Sequence, residues 1–578
     1  MGNQEIAEVL VNIARLLELK GENPFKLRAY LNAARAIETY PGDIRGAIES
    51  GSIQGLDGVG KALAEKITEL VLTGRLKYYE ALREEFPPDI LTLFDVQGLG
   101  GKKIKVLYDS LGVHSLTSLE RACLDGSVAA LPGFGEKTAS NLLKAIDHLR
   151  RHAGQFLLDQ ATPVAEALLD DLRSHPATDL VEVAGSFRRR KPVVRDLDFI
   201  VSTSRPAELI ESFASHPLLE NILAKGTTKA SAIAKGGIQC DLRAVTNSEF
   251  PFALAYFTGS KEHNIRMRAR ANDRGWTLNE YRLSPTNPRA SAPPPIFTEA
   301  ELFAALGLEF IPPELREDLG EFDAAESGQL PQLIEWQNLR GTFHNHTNAS
   351  DGRATLEHMA QAARDLGLEY LGIADHSKSS VIANGLDEKR LLDQIQAIHR
   401  LNYEFNGEFR IFAGTECDIR KDGSLDFDDD ILAQLDYVVA SVHSAFTLGE
   451  AEMTHRIIRA IENPYVTMLG HITGRILLSR EPYALNVHAV IEAAAETGTI
   501  IELNANPRRL ELDWTWWPLA KSRGVRCSIN PDAHSTAGLG HLIFGVGIAR
   551  KGWLTRNDVI NTLNLREVEA VLSAKRKK

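Results

Sequence analysis

Gly185-Ser-Phe-Arg-Arg-Arg-Lys-Pro-Val-Val-Arg-Asp196-Leu-Asp198 decides how the middle of this chain folds. Side chains alternate along a strand, so Asp196 and Asp198 share one face while Leu197 points into a core. Two carboxylates on one face, joined by a third from a neighbouring strand, hold two divalent ions ~3.5–4 Å apart. Asp241, in the alternating strand Ile238-Gln-Cys-Asp-Leu-Arg243, is the natural third. Gly185 and Ser186 offer a backbone N–H and a hydroxyl to phosphate oxygens, and Arg188 and Arg189 supply charge. An Asp-x-Asp at a strand end is common by itself. Joined to Gly-Ser, a basic run and a later strand aspartate, it points to two-metal nucleotidyl transfer.

Upstream, the first ~150 residues carry apolar side chains at three- and four-residue spacing, as in IAEVLVNIARLLEL, and are predicted helical. One short pattern recurs there: Leu56-Asp-Gly58-Val-Gly60, Val96-Gln-Gly98-Leu-Gly100 and Leu131-Pro-Gly133-Phe-Gly135, each followed by a helical stretch. A Gly-hydrophobic-Gly hairpin opening a helix lets the backbone approach a phosphate, with helix N–H groups aimed at it. Such an element grips a nucleic-acid backbone without reading its sequence. One copy would be an ordinary turn; three copies point to helix-hairpin-helix DNA binding.

Downstream, strands dominate from about residue 180, a Pro-rich loop runs from Ser284 to Pro295, and Pro312 to Gln337 is predicted to link domains. Beyond residue 340, short apolar strands alternate with helices about seven times, which predicts a parallel α/β barrel or sheet. His344-Asn-His346 aims two imidazoles the same way from one strand end. Further candidate ligands close almost every later strand: Asp351, His376, Glu416, His443, His471, and Asp532 with His534. Barrel active sites gather at those C-terminal strand ends. Nine nitrogen and oxygen ligands without a cysteine suit a cluster of Zn²⁺, Mn²⁺ or Fe²⁺. Arg475 and Arg508 are candidate phosphate clamps.

Bulk composition fits this reading. The chain has 578 residues, 44% hydrophobic and 25% charged, which is ordinary for several folded domains. No apolar run approaches ~18 residues and the start has no signal-peptide pattern, so a cytoplasmic protein without a membrane partner is expected. Four scattered cysteines (Cys123, Cys240, Cys417, Cys527) fit a reducing compartment. The net charge of −12 does not exclude DNA, because carboxylate-lined metal sites make an enzyme acidic.

Residues 1 to about 318 resemble the DNA polymerase beta family and its bacterial family X relatives, and residues 339–578 resemble the PHP family of metal-dependent phosphoesterases. The resemblance implies a multidomain fold: helical N-terminal domains with helix-hairpin-helix motifs, an α+β nucleotidyltransferase palm and thumb, and a C-terminal distorted (β/α)7 PHP barrel. The expected boundaries are a lyase-like helical domain at 1–80, a helix-hairpin-helix domain at 81–152, the palm at 153–247, the thumb at 248–318, a linker at 319–338 and the PHP domain at 339–578. It implies Asp196, Asp198 and Asp241 as Mg²⁺ ligands, with Mn²⁺ as a substitute, and Gly185, Ser186 and Arg189 at the triphosphate. Tyr256 and Phe257 then face the incoming sugar before Gly259, Asn264 faces the base, and Arg268 faces the template side. Lys66 matches a Schiff-base lysine, with Lys26 and Tyr30 around a DNA 5′-phosphate, although Ala62 stands where that pocket has another basic residue. All nine PHP ligand positions are filled, implying three metal ions, while Thr342 stands where the family commonly has Asp. Arg195 replaces the glycine usual before the first palm aspartate, so it either narrows the triphosphate cradle or adds charge to it. The expectation is a monomeric repair polymerase acting on gapped or nicked DNA with dNTPs, with a 3′–5′ exonuclease and abasic-end processing. The alternatives are a DNA-binding nuclease with a degenerate polymerase half, and a small-molecule phosphatase with a regulatory first half.

Overall fold

A computed structural model describes residues 3–38, 40, 44–56 and 58–575. Asp57 of the first hairpin, and residues 1–2 and 576–578 at the ends of the expected first and last domains, lie outside them. The chain forms two compact units, Met1–Ala153 and Gly154–Lys578. No described helix is long and apolar enough to cross a membrane.

The first unit is helical, and its core is built from the periodic apolar positions, among them Leu10, Ile13, Leu17, Ile67, Ile104 and Ile146. In the first two hairpins Gly58 (φ 81°) and Gly98 (φ 89°) take the left-handed conformation that excludes most side chains. Gly60 and Gly100 follow in extended conformation and cap the helices Lys61–Thr73 and Gly101–Leu111. The third hairpin departs from this form. Gly133 (φ 85°) and Gly135 (φ 72°) are both left-handed, and Gly135 already belongs to the helix Gly135–His152.

The second unit opens with a five-stranded sheet. Its strands are β1 (Leu180–Val183), β2 (Asp196–Ser202), β3 (Leu219–Lys225), β4 (Lys229–Ala234) and β5 (Gln239–Val245), in the order β1-β2-β5-β4-β3. β2 and β5 are parallel, and the other pairs are antiparallel. Alternation places Leu197, Phe199, Val201, Cys240 and Leu242 in a core with the helices Leu158–Ser174 and Pro206–Ala214. The aspartates take the other face.

Two helices, Phe250–Thr258 and Lys261–Asp273, lead into a second core containing Phe252, Met267, Leu302, Phe303, Ile311 and Leu315. The segment 319–338, expected as a linker, is instead part of this core. Its helix Glu321–Ser327 contributes Phe322 and Ala325, and Leu333 follows. The acidic composition misled because Glu321 is itself buried: it accepts the N–H groups of Asp318 and Leu319 and pairs with His263 Nδ1 at 2.9 Å. A buried charge satisfied in this way reads in sequence as a solvated one.

The barrel strands are β6 (Gly341–Asn345), β7 (Tyr370–Ile373), β8 (Arg410–Asp418), β9 (Tyr437–Ser441), β10 (Met468–Leu469), β11 (Ile500–Asn504) and β12 (Cys527–Asn530). They lie in sequence order and all pair in parallel. The first and last strands meet: His346 N–H donates to the Ala533 carbonyl at 2.9 Å, and Thr342 Oγ1 to that of Ile529 at 3.1 Å. The result is a nearly closed seven-stranded barrel filled by Phe343, Tyr370, Phe412, Tyr437 and Met468.

Candidate active sites

The parallel register of β2 and β5 sets Asp198 opposite Asp241, with Asp196 two residues away on the same face. Gly185 begins the turn after β1 with φ 63°, and a Cβ there would lie 2.5 Å from Asp198 Oδ2. Only glycine lets this backbone lie against the carboxylate. Burial, then repulsion from Asp196 and Asp241, pushes Asp198 up to about 7. Asp196 is raised by burial and by Asp241, against the opposing charge of neighbouring Arg195. Asp241 Oδ1 is buried without a hydrogen-bond partner. Three converging carboxylates with an orphaned oxygen are a donor set that fits divalent cations. Arg195 is exposed, and its charge opposes the upward shift of Asp196.

The basic run after Ser186 is engaged with the helical segment that follows the sheet. Arg188 forms a two-pronged pair with Glu299 at 3.1 and 2.6 Å. Arg189 pairs through Nε with Glu317 at 3.0 Å and donates from Nη1 to the Thr258 carbonyl. The arginine expected at the triphosphate is therefore held on a carboxylate in this structure. Tyr256, Asn264 and Arg268 line one cleft with Phe252 and Phe303. Tyr256 packs edge-on to Phe257 at 5.2 Å, and Asn264 Nδ2 donates to the Tyr256 carbonyl at 2.7 Å. Gly259 leaves room for Arg189, whose Nη1 would lie 3.0 Å from an added Cβ.

In the first unit, Lys66 Nζ donates to the Tyr30 hydroxyl at 2.8 Å and sits 4.2 Å from the Tyr78 ring centre. Burial, then repulsion from Lys26, lowers its pKa. Lys26 itself pairs with Glu22 at 3.2 Å. A lysine that loses its proton more readily is a better amine nucleophile. Tyr78, which stacks on Tyr30, was not legible as part of this group.

The barrel brings all nine candidate ligands together at its C-terminal strand ends. Four overlapping sets have ligand atoms within 4.8 Å of one another: His346/Asp351/His376/His534, His344/His346/Glu416, His376/Glu416/His443 and His344/His471/Asp532. Glu416 is central, 2.7 Å from His471, 2.9 Å from His376, and 3.2 Å from both His344 and His443. Imidazoles crowd as well, with His346 and His534 ring centres 4.1 Å apart. Burial, then repulsion from His534 and His376, lowers His346 to about 4. Buried atoms without hydrogen-bond partners include His344 Nε2, both nitrogens of His346, His376 Nδ1, His471 Nδ1 and Glu416 Oε2. Orphaned lone pairs at this density fit a cluster of metal ions.

Three residues of this site were missed in the sequence. Glu502 accepts from His344 Nδ1 at 2.5 Å, from the His471 N–H at 3.0 Å and from Asn530 at 2.8 Å. Asp418 pairs with His443 Nδ1. Such partners fix ring orientation and basicity. The signal was available, since Asp418 follows Glu416 by two residues in β8 and Glu502 sits in the apolar strand β11. The third is Arg509, half-buried 3.5 Å from Asp532. Arg475, expected to clamp phosphate, is instead committed to the Arg509 and Leu510 carbonyls and to Asp513. Arg508 is exposed.

A carboxylate-faced mixed sheet followed by a histidine-lined parallel barrel defines a class: a nucleotidyltransferase joined to a metal-dependent phosphoesterase of the PHP type. Family models match four segments: a helix-hairpin-helix domain over residues 1–76, a SAM-like helix-hairpin-helix tandem over 90–147, a DNA polymerase beta thumb over 253–317 and a PHP domain over 342–506. The chain is 38% identical over 574 residues to the DNA polymerase/3′-5′ exonuclease PolX of Bacillus subtilis strain 168, covering 99% of both. It is 26% identical over 344 residues to rat DNA polymerase lambda, covering 54% of this chain and 56% of that one. A probable phosphatase of Thermoanaerobacter sp. strain X514 is 28% identical over 251 residues, covering 41% of this chain and 95% of that one. The chain belongs to the family X DNA polymerases that carry a C-terminal PHP domain.

Proposed function

We propose that this protein is a DNA-directed DNA polymerase that fills short gaps in repair and carries a 3′–5′ exonuclease in its barrel. The observation that carries the reading is the coexistence, in one chain, of a three-carboxylate face and a separate nine-ligand imidazole and carboxylate cluster. Asp196, Asp198 and Asp241 would hold two Mg²⁺ ions, with Mn²⁺ able to substitute, which supply charge neutralisation for a dNTP and a primer 3′-hydroxyl. Gly185 and Ser186 present backbone and hydroxyl to the phosphates, and Arg189 joins them after leaving Glu317. Tyr256 and Phe257 face the sugar, Asn264 the base and Arg268 the template side.

The nine barrel residues would hold three ions drawn from Mn²⁺, Zn²⁺ and Fe²⁺, which supply Lewis acidity for phosphodiester hydrolysis. Glu416 sits at the centre of the cluster, and Glu502 and Asp418 set the tilt of His344 and His443. Gly58, Gly60, Gly98, Gly100, Gly133 and Gly135 would bring backbone against gapped or nicked DNA. Lys66 would attack a 5′-deoxyribose phosphate, with Lys26 and Tyr30 at its phosphate. In this reading the domains are 1–80, 81–152, 153–247, a thumb extended to 248–338, and 339–578, and the enzyme acts as a monomer.

A labelled primer on gapped duplex tests the reading. Extension is expected with dNTPs, and shortening from the 3′ end without them. A well-folded protein that does neither in Mg²⁺ or Mn²⁺ overturns it.

A further inference from the structure

Lys551 closes the barrel helix Leu542–Lys551, yet its side chain is fully buried outside the barrel's own chemistry. Its ammonium donates to Glu317 Oε1 at 2.5 Å, the Arg189 carbonyl at 3.1 Å and the Glu314 carbonyl at 3.2 Å. The Trp514 ring lies 4.5 Å away. Glu317 is also the partner of Arg189 at 3.0 Å and of Lys191 at 3.5 Å. One carboxylate thus faces three cations, an excess of positive charge that favours an incoming anion. Gly547, one turn earlier on the same helix, lets the helix rest on Arg190, whose Cγ and Cδ would lie 3.4 Å from an added Cβ. The loop under this helix closes on itself, with the Lys191 N–H donating to the Ser186 carbonyl at 3.0 Å. Moving the Arg189 carbonyl therefore moves the turn that carries Ser186 beside the carboxylates.

We propose that Lys551, a residue of the nuclease barrel, is a positioning residue for nucleotide binding at the polymerase site. It pins the Arg189–Lys191 loop by its backbone, and it neutralises Glu317 when Arg189 leaves that carboxylate for a triphosphate. Without it, nucleotide binding would leave the largely buried Glu317 carboxylate with only Lys191, 3.5 Å away, which is unfavourable. The inference rests on the polymerase reading above.

The test uses the full-length protein on gapped DNA. Lys551→Met is expected to raise the KM for dNTP roughly tenfold, the scale of one hydrogen bond to a charged group, with kcat little changed. Its 3′–5′ shortening of single-stranded DNA should match wild type. Adding Glu317→Gln to Lys551→Met should bring the KM back toward wild type, because no carboxylate then retains Arg189. Arg550→Met is the docking control: Arg550 holds Glu314 at 2.6 Å and the Ile334 carbonyl at 3.0 Å from the same helix. It should lower the melting temperature without the rise in KM. A wild-type KM in Lys551→Met, an equal rise in Arg550→Met, no rescue by Glu317→Gln, or parallel loss of both activities would overturn the inference. Absence of extension by the wild-type protein would instead remove the polymerase reading, and the inference with it.

Discussion

Asp198 is held among two other carboxylates, and Lys229 and Arg243 only partly offset the burial and repulsion that raise it to about 7. An unfolded chain releases that proton near pH ~3.9. Between those values the folded state binds more protons, so metal-free stability falls as pH rises through the window. Asp198→Asn removes the penalty. Its melting temperature, measured in chelator, is expected to exceed wild type by a margin that grows from about pH 4 to pH 7 and then levels. An equal margin at every pH would contradict this electrostatic account. With Mg²⁺ present the same variant should lose primer extension by roughly 10³-fold, the scale of losing a charge-stabilising group. Lys66 makes a second expectation: borohydride should trap a covalent adduct with a 5′-deoxyribose phosphate end, and Lys66→Ala should abolish it. Trapping that survives the substitution assigns the chemistry to another amine. The clustering of the aspartates and of the nine candidate barrel ligands was legible because a strand repeats every two residues and chemistry-bearing side chains break its apolar pattern. Tyr78, Glu317 and Lys551 were not, because the contacts that define them join segments far apart in the chain with no local signature.

The hairpins show what an element adds to its residues. An added Cβ at Gly60 or Gly100 meets nothing within 4 Å, so neither glycine is required for packing. Both stand at helix N-termini, where backbone N–H groups face outward. Gly60→Val and Gly100→Val are therefore expected to fold with near-wild-type melting and to weaken gapped-DNA binding. A filter-binding titration over salt concentrations checks this, and unchanged affinity would remove the phosphate role. The third repeat was counted as equivalent in the sequence, yet its second glycine is left-handed and begins the helix itself. Substitution at Gly135 is thus expected to disturb folding before binding. The segment 319–338 failed as a linker for a related reason. Composition reports polarity, while Phe322, Ala325 and Leu333 report packing only once their neighbours are known.

At the scale of the molecule, the β/α alternation was enough to read a parallel α/β barrel or sheet, and the resemblance to the PHP family pointed to the barrel. The docking of that barrel on the sheet through Leu542–Lys551 had no sequence signal. The two proposed metal centres lie in one chain, built on candidate ligand sets with no residue in common. Separation of function by mutation tests that most directly. A labelled primer on gapped DNA is followed with and without dNTPs for wild type, Asp198→Asn and His344→Ala. His344→Ala should lose bound metal and 3′-end shortening while extension persists. Asp198→Asn should lose extension while shortening persists in the presence of dNTPs. A stably folded His344→Ala protein that shortens primers at the wild-type rate, or an Asp198→Asn protein that extends them at that rate, would contradict the account.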